Sequence, residues 1–326
     1  MAKEDKLYIG VDLGGTNILV GIVTQQGKVL ATAKKKTKSD AGTEKIIDRV
    51  VATCMEALET AKLSLNDIQA LGIGAPGVVD LKTGVVIEAV NLRWTQFPLA
   101  KSLKDKLKIP VAVDNDVNVG AWGEYKAGAG KKQDDLLAIF IGTGIGGGLI
   151  LNGQLYNGAF GTAGEIGHTV VHANAPLGRR TLENTASRTA IVNLITSLVK
   201  ANHPSIITKL CGGNLNNIRS KVIKQAIEEK DELVCQVVQE ACHDIGIAAA
   251  NMVTMLNIPC VVLGGGLTEA VGPKIIEWIR KSFDDTVYPS ELRDCKIVEA
   301  ALGDDAGLVG AALLAAERLK PYTSRQ

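Results

Sequence analysis

The chain carries one unit twice: a short apolar run, a glycine turn and a second apolar run. In the first copy Tyr8 to Val11 leads into Asp12-Leu13-Gly14-Gly15-Thr16-Asn17, and Ile18 to Val23 leads out. In the second, about 130 residues on, Leu137 to Ile141 leads into Gly142-Thr143-Gly144-Ile145-Gly146-Gly147-Gly148, and Leu149 to Leu151 leads out to an Asn152-Gly153 turn. Glycine admits positive φ, and without a Cβ it lets backbone N–H groups come close to an anion. The repeat therefore predicts a phosphate cradle built twice, on two halves of one α/β plan, with a ligand in the cleft between them.

Gly142, Gly144 and Gly147 also match GxGxxG, the dinucleotide fingerprint. That fingerprint opens a helix after its strand, whereas here a short β run and a hairpin turn follow. No GxxxxGK[ST] occurs in the chain. With 326 residues there is chain enough for two domains, each with its own core. A net charge of +1 offers no global field for nucleic acid, and 4% aromatic residues leave few platforms for stacking bases. Both point to small-molecule partners. The longest apolar stretch, Ile245 to Leu267, is broken by Asn251, Asn257, Pro259 and three glycines, so it is no bilayer span. Met1-Ala2-Lys3-Glu4-Asp5-Lys6 has no apolar run after its charges, so no secretory signal is expected and the cytoplasm is the expected location. Six cysteines with no CxxC pair read as reduced thiols.

Periodicity lays out the elements. Residues 7–36 read as three antiparallel strands. Thr43 to Lys62 reads as a helix with Ile46, Ile47, Val50, Val51, Cys54, Leu58 and Ala61 on one face, and Ala70 to Gly74 as a buried strand. Pro110 to Val113 is a further strand, ended by Asp114-Asn115-Asp116, which open a helix to about Ala127. Long helices are expected near Leu182 to Lys200, Asn216 to Glu229 and Glu232 to Leu256. Cys260 to Leu263 is a strand entering Gly264-Gly265-Gly266, followed by a helix from about Gly272 to Phe283, a strand at Lys296 to Ala300 and a helix at Leu308 to Leu319.

Asp12-Leu13-Gly14-Gly15-Thr16, Gly74-Ala75-Pro76-Gly77, Asn91-Leu92-Arg93-Trp94, Asp114-Asn115-Asp116, Gly142 to Gly148, Gly164-Glu165-Ile166-Gly167-His168, Leu182-Glu183 and Leu263-Gly264-Gly265-Gly266 occur in one order and spacing. Over nearly the whole chain that pattern resembles the ROK family of sugar kinases and sugar-responsive repressors, and its glucokinases most. The resemblance implies a duplicated α/β fold of the actin-like, ribonuclease H-like ATPase type. Its domains would be residues 1–119 plus 306–326, with the C-terminal helix returning to the first, and residues 120–305.

What the resemblance implies about function is phosphorylation of the 6-hydroxyl of glucose by ATP with Mg²⁺. Asp116 would be the base, and the sugar would be held by Gly77, Asn91, Asn115, Asp116, Glu165, His168 and Glu183. Gly14, Gly15, Thr16, Asn17, Gly142, Thr143 and Gly144 would hold phosphates, Asp12 would hold Mg²⁺ through water, and Gly264, Gly265 and Gly266 would lie against adenosine. Many relatives carry lysine where this chain has Asn17. The alternatives are a kinase of N-acetylglucosamine, N-acetylmannosamine or fructose, polyphosphate as donor, or a sugar sensor without catalysis. A DNA-binding regulator is not expected, because only about eight residues precede the first strand. The resemblance also implies a homo-oligomer, a dimer or tetramer, with no nucleic acid or membrane partner.

One stretch departs from the family. Where many relatives bind structural zinc with a cysteine cluster, this chain has Asn174 to Thr181 and no cysteine. His168 to Val171 reads as extended chain, which puts His172 roughly 13 Å from His168 and outside a shared zinc with ~2.1 Å bonds. No structural zinc is expected. His203 and His243 read as ordinary surface or helix residues. Lys34-Lys35-Lys36 with Lys38 reads as a lysine-protected sheet edge rather than a phosphate or nucleic-acid site.

Overall fold

Each glycine turn is the corner of an antiparallel hairpin, and each hairpin is the start of a sheet. The computed structural model describes residues 5–319. Met1 to Glu4 and residues 320–326, which include part of the expected returning segment, lie outside it. In the first sheet β1 (Leu7–Leu13), β2 (Asn17–Thr24) and β3 (Val29–Lys36) run antiparallel. The crossover helix α1 (Thr43–Ala61) buries Ile46, Ile47, Val50, Cys54 and Leu58 against them, the apolar face its spacing predicts. The chain returns as β4 (Ile68–Ala75), parallel to β1. A small antiparallel sheet of β5 (Val78–Asp80), β6 (Val85–Ala89) and β7 (Trp94–Phe97) follows, then α2 (Leu99–Leu107) and β8 (Val111–Asn115), which completes the order β3-β2-β1-β4-β8. The small sheet escapes sequence periodicity, since strands of three to five residues are too short to show it, whereas α2 carries a helical repeat in Leu99, Leu103 and Leu107, all buried.

After α3 (Asp116–Ala127) the plan repeats. β9 (Leu136–Ile141), β10 (Ile145–Leu151) and β11 (Gln154–Leu155) form the second hairpin ladder, with the expected turn at Asn152 and Gly153, both at positive φ. The helical stretch comprises α4 (Leu182–Ala186), α5 (Arg188–Lys200), α6 (Ile207–Leu210), α7 (Ser220–Glu228) and α8 (Glu232–Leu256). Then come β12 (Cys260–Gly264), α9 (Gly266–Val271), α10 (Pro273–Thr286), β13 (Lys296–Glu299) and α11 (Ala306–Arg318). The second sheet runs β11-β10-β9-β12-β13 and matches the first position for position. One expected helix, Leu182 to Lys200, is two: Ser187 takes an extended ψ of 156° and its hydroxyl accepts from the Ala190 N–H, so it caps a new helix.

Each sheet has its own buried core, and a third cluster lies between them, built on α3 and α11. These two helices cross closely because of glycine: a Cβ at Gly310 would lie 1.6 Å from the Val119 carbonyl oxygen. α11 also packs on β1 and β4, and its last turn is pinned by Arg318 to the buried Asp114 of β8 at 2.5 Å. From α3, the fully buried Glu124 accepts from the N–H groups of Ala129 (2.8 Å), Ala301 (3.0 Å) and Leu302 (2.8 Å). A desolvated carboxylate with three such donors is stable in place. It fixes the turn that delivers residues 303–305 to the head of α11.

Candidate active site

Each turn is closed by a bond from its first glycine, across four residues in the first turn and three in the second. In the first, the Gly14 N–H closes on the Asn17 carbonyl at 2.9 Å; in the second, the Gly142 N–H closes on the Gly144 carbonyl at 2.9 Å. Among the described residues the N–H groups of Gly15 and Thr16, and of Thr143 and Gly144, find no acceptor within the chain. Two adjacent free donors at each turn form a concavity suited to phosphate oxygens. The glycines that follow the second turn do something else. Gly146, Gly147 and Gly148 belong to β10, not to the turn: α3 packs through Val117 and Ala121 on Gly146 and Gly148, and the segment of Gly164 and Ile166 packs on Gly147. Gly264 ends β12 and Gly265 (φ 88°) lies beside Ile141, so the third glycine run adjoins the second turn.

Between the turns stands a set of carboxylates. Asp12 is the last but one residue of β1, in register with Gly74 of β4, and Asp116 opens α3 with its Cα against Gly74. Burial, the charges of Asp116 and Asp304 and the opposing charge of Lys34 together raise the Asp12 pKa to about 7. Burial also raises Asp116, opposed by N–H donation from Val117 and its own backbone and reinforced by the charge of Glu165. Asp304 is absent from the expected set. Its signal was one acidic residue in Gly303-Asp304-Asp305 before a helix, which no local pattern ties to a strand almost 300 residues earlier.

The residues expected on the sugar side are distributed as follows. Asn115 caps α3, its Oδ1 accepting from Val117 (2.8 Å) and Asn118 (3.2 Å) while Nδ2 donates to the Gly77 carbonyl (3.1 Å), which leaves one amide hydrogen free. Gly77 has φ 90°, and Asn91 is exposed in a 3₁₀ turn beside Gly15. Glu165 precedes and His168 ends the 3₁₀ turn Ile166–His168, so the expected extended chain at His168 is corrected: the His168 N–H closes on the Glu165 carbonyl at 3.1 Å while Gly167 packs on the Ile145 carbonyl. Glu183, in the first turn of α4, accepts from the Ile145 N–H through Oε2 at 2.9 Å and keeps Oε1 free.

A duplicated sheet with paired N–H cradles and a carboxylate cluster at the joint is what the sequence resemblance implied, and comparison with known proteins decides it. The ROK family model matches residues 8–318. The chain belongs to the ROK family. A glucokinase of Halalkalibacterium halodurans is 33% identical over 312 residues, 94% of either chain. The crystal structure of a ROK family glucokinase from Streptomyces griseus in complex with glucose and AMPPNP matches with a TM-score of 0.84 and 35% identity, over 95% of this chain and 99% of that one. A xylose repressor of Caldicellulosiruptor bescii is 29% identical over 94% of this chain and 77% of its own. The fold is therefore the actin-like ATPase fold of ROK sugar kinases.

Within this ROK chain two segments read differently in three dimensions. His172 Nε2 contacts both oxygens of Asp244 on α8 (2.9 and 3.0 Å), and Val170 bridges to Thr181, so segment 170–181 is held without thiolates. No group of three or more His, Cys, Asp or Glu among the described residues is arranged to hold a metal ion. With no cysteine there and His172 engaged, these residues do not fit a structural zinc. His243 bonds Ser282, and His203 is exposed. A groove of about 830 Å³ between α5 and α8, lined by His172, Arg179, Asn193 and Asp244, contains none of the expected site residues. The lysine run does form an edge strand, and Lys35 pairs with Glu56 at 2.7 Å. Lys34, however, is in register with Leu19 and through it with Asp12, which is how its charge reaches that carboxylate. No helix among the described residues is long and apolar enough to cross a membrane.

Proposed function

We propose that this ROK protein is an ATP-dependent hexokinase that phosphorylates the 6-hydroxyl of glucose. The observation that carries the reading is Asp116: a desolvated carboxylate at the head of α3, beside Asp12 and facing the charge of Glu165, between two turns with free N–H pairs. Its raised pKa makes it a better base than an ordinary carboxylate. Phosphoryl transfer passes through a loose transition state, so the sugar hydroxyl loses its proton late, and placing the base matters more than its strength.

The first turn, Gly14 to Asn17, and the second, Gly142 to Gly144, hold the phosphates of ATP by backbone donation, with Gly264 to Gly266 against the adenosine. Asp12 fits a Mg²⁺ ion held through water, since that ion takes oxygen ligands, and when bound it neutralises phosphate charge. The free Oε1 of Glu183, together with Glu165 and His168, accepts and donates to the hydroxyls at carbons 1 to 3; the spare amide hydrogen of Asn115 and the carboxylate of Asp116 serve carbon 4 and carbon 6, with Gly77 and Asn91 at the rim. The cleft opens between residues 5–119 with 306–319 and residues 120–305, and closing it excludes water from ATP. Six unpaired cysteines, five of them buried, suit a reducing compartment, and we place the protein in the cytoplasm as a homo-oligomer.

The test is a sugar panel coupled to ADP release, with ATP and polyphosphate as donors. Glucose should exceed galactose clearly in kcat/KM, because inversion at carbon 4 leaves buried partners unpaired. It should also exceed N-acetylglucosamine and N-acetylmannosamine. An N-acetyl sugar ahead of glucose would move the assignment to amino sugars, and no sugar-dependent ADP release would favour a sensor, a reading the repressor relative supports.

A further inference from the structure

The second turn is held by a cation as well as by a carboxylate. Arg188 is the first residue of α5, after the break at Ser187. Its N–H donates to the Gly142 carbonyl at 3.0 Å and its Nη2 to the Thr143 hydroxyl at 2.8 Å. The Thr189 hydroxyl donates to the Thr143 carbonyl at 2.7 Å, and Glu183 takes the Ile145 N–H. These bonds occupy the carbonyls of Gly142 and Thr143. They leave free the two groups an anion would use, the N–H groups of Thr143 and Gly144.

The guanidinium is itself under-used. Among the described residues it has no carboxylate partner, and its Nε and Nη1 have no acceptor. A planar, permanently charged fork with spare donors, bonded to the hydroxyl of the residue that offers the free N–H, is built for phosphate oxygens rather than for packing. Charge balance points the same way. Asp12, Asp116, Asp304, Glu165 and Glu183 crowd the site with negative charge, and a nucleoside triphosphate brings more. Lys34 offsets some of it at the first turn; at the second turn the cation is Arg188.

We propose that Arg188 is a phosphate-binding residue of the second turn, contacting the phosphates beyond the α position of the donor nucleotide. The assignment rests on the ATP-dependent reading above. It makes affinity for the donor depend on phosphate number through one side chain.

Equilibrium titration of adenosine, AMP, ADP and ATP against wild type, Arg188→Ala, Arg188→Lys and Thr189→Val tests it. Arg188→Ala should weaken ADP and ATP by about 10–100-fold, the size of a lost charge-assisted contact, and leave adenosine and AMP within about twofold. Arg188→Lys should recover part of the loss, and added salt should shrink the gap between wild type and Arg188→Ala. Thr189→Val loosens the same turn without removing charge, so any loss there should not grow with phosphate number. Equal weakening of adenosine and ATP in Arg188→Ala, or unchanged ATP affinity, would overturn the assignment and leave the kinase reading standing. Wild type that binds no adenine nucleotide would overturn both. Circular dichroism of each variant separates these outcomes from unfolding, and Arg188→Lys carries the test if Arg188→Ala does not fold.

Discussion

The two glycine turns share a shape but are held by different means. The first is fastened by its own sheet: Thr37, fully buried at the end of β3, donates its hydroxyl to the Gly14 carbonyl at 2.6 Å and its N–H to the Thr16 carbonyl at 2.9 Å. The second is fastened from outside by Glu183, Arg188 and Thr189, all at the junction of α4 and α5. Neutral, local anchoring gives a turn whose form depends on little else. Charged, distant anchoring gives a turn that shares residues with other tasks, and Glu183 is counted both in the loop and in the proposed sugar pocket. The duplicated fold thus anchors one turn within its own sheet and the other through two helices outside it.

The largest effect should come from the joint between the copies. Asp116→Asn keeps shape and hydrogen bonding and removes proton acceptance, so kcat should fall ~10²–10⁴-fold, the usual span for a general base. Glucose and ATP affinity should stay within about threefold, since neither turn is touched. Retention of a tenth of normal turnover would take the base role away from Asp116 and return the acid cluster to plain cation binding.

Two glycine substitutions set the packed joint of α3 and α11 against the second turn, which is held by side chains. At Gly310→Ala the new Cβ meets backbone, 1.6 Å from the Val119 carbonyl oxygen, so α3 and α11 must separate. The cost should reach about 3 kcal/mol, the upper part of the range for overpacking, read as a fall in thermal midpoint. At Gly144→Ala the Cβ meets the tip of a flexible side chain, 2.2 Å from Glu183 Oε2. The carboxylate can swing away without moving backbone, so the stability cost should be the buried Ile145 N–H left unpaired, about 1–2 kcal/mol, while the lost bond weakens sugar and nucleotide by roughly tenfold. If Gly144→Ala instead costs as much as Gly310→Ala does, the second turn is as rigidly packed as the joint.

Local signals account for what was legible beforehand. The doubled hairpins, the apolar face of α1 and the long helix Glu232–Leu256 all express periodicity within a few residues. Asp116 was placed at a helix start by its polar triplet, which partly dissolves in three dimensions: Asn115 is the cap, and Asp114 is a buried partner of Arg318 and Asn118. What stayed hidden depends on distance along the chain. Asp304 beside Asp12, Arg188 on Thr143 and Glu183 on Ile145 join residues 38 to almost 300 positions apart. Gly146 to Gly148 misled because glycine signals a turn or a close approach equally, and only the packing of α3 tells which. Ser187 was readable in principle, as a cap signal inside a helical pattern, and it is the break that brings Arg188 to the turn.

The smallest expected effect tests whether the acid cluster is tuned for function at a cost in stability. In the metal-free protein Asp12 has a pKa of about 7 against 3.8 for the ordinary group, first through burial, then through Asp116 and Asp304. Between these two values the folded protein holds a proton that the unfolded chain has lost, so stability falls as pH rises from about 4 to about 7 and stays reduced above. Asp12→Asn removes the charge and its penalty. The variant should match wild type near pH 4 and exceed it at pH 8 by roughly 1–2 kcal/mol, a value reduced from the full shift because solvent still reaches the carboxylate. Removing the opposing charge with Lys34→Ala should widen the pH dependence of the wild-type Asp12 chain and leave Asp12→Asn unaffected. Denaturant midpoints at pH 4, 6 and 8 in chelator measure both. Equal stabilities of wild type and Asp12→Asn at pH 8 would mean that Asp12 ionises freely and that the acid cluster carries no cost in stability.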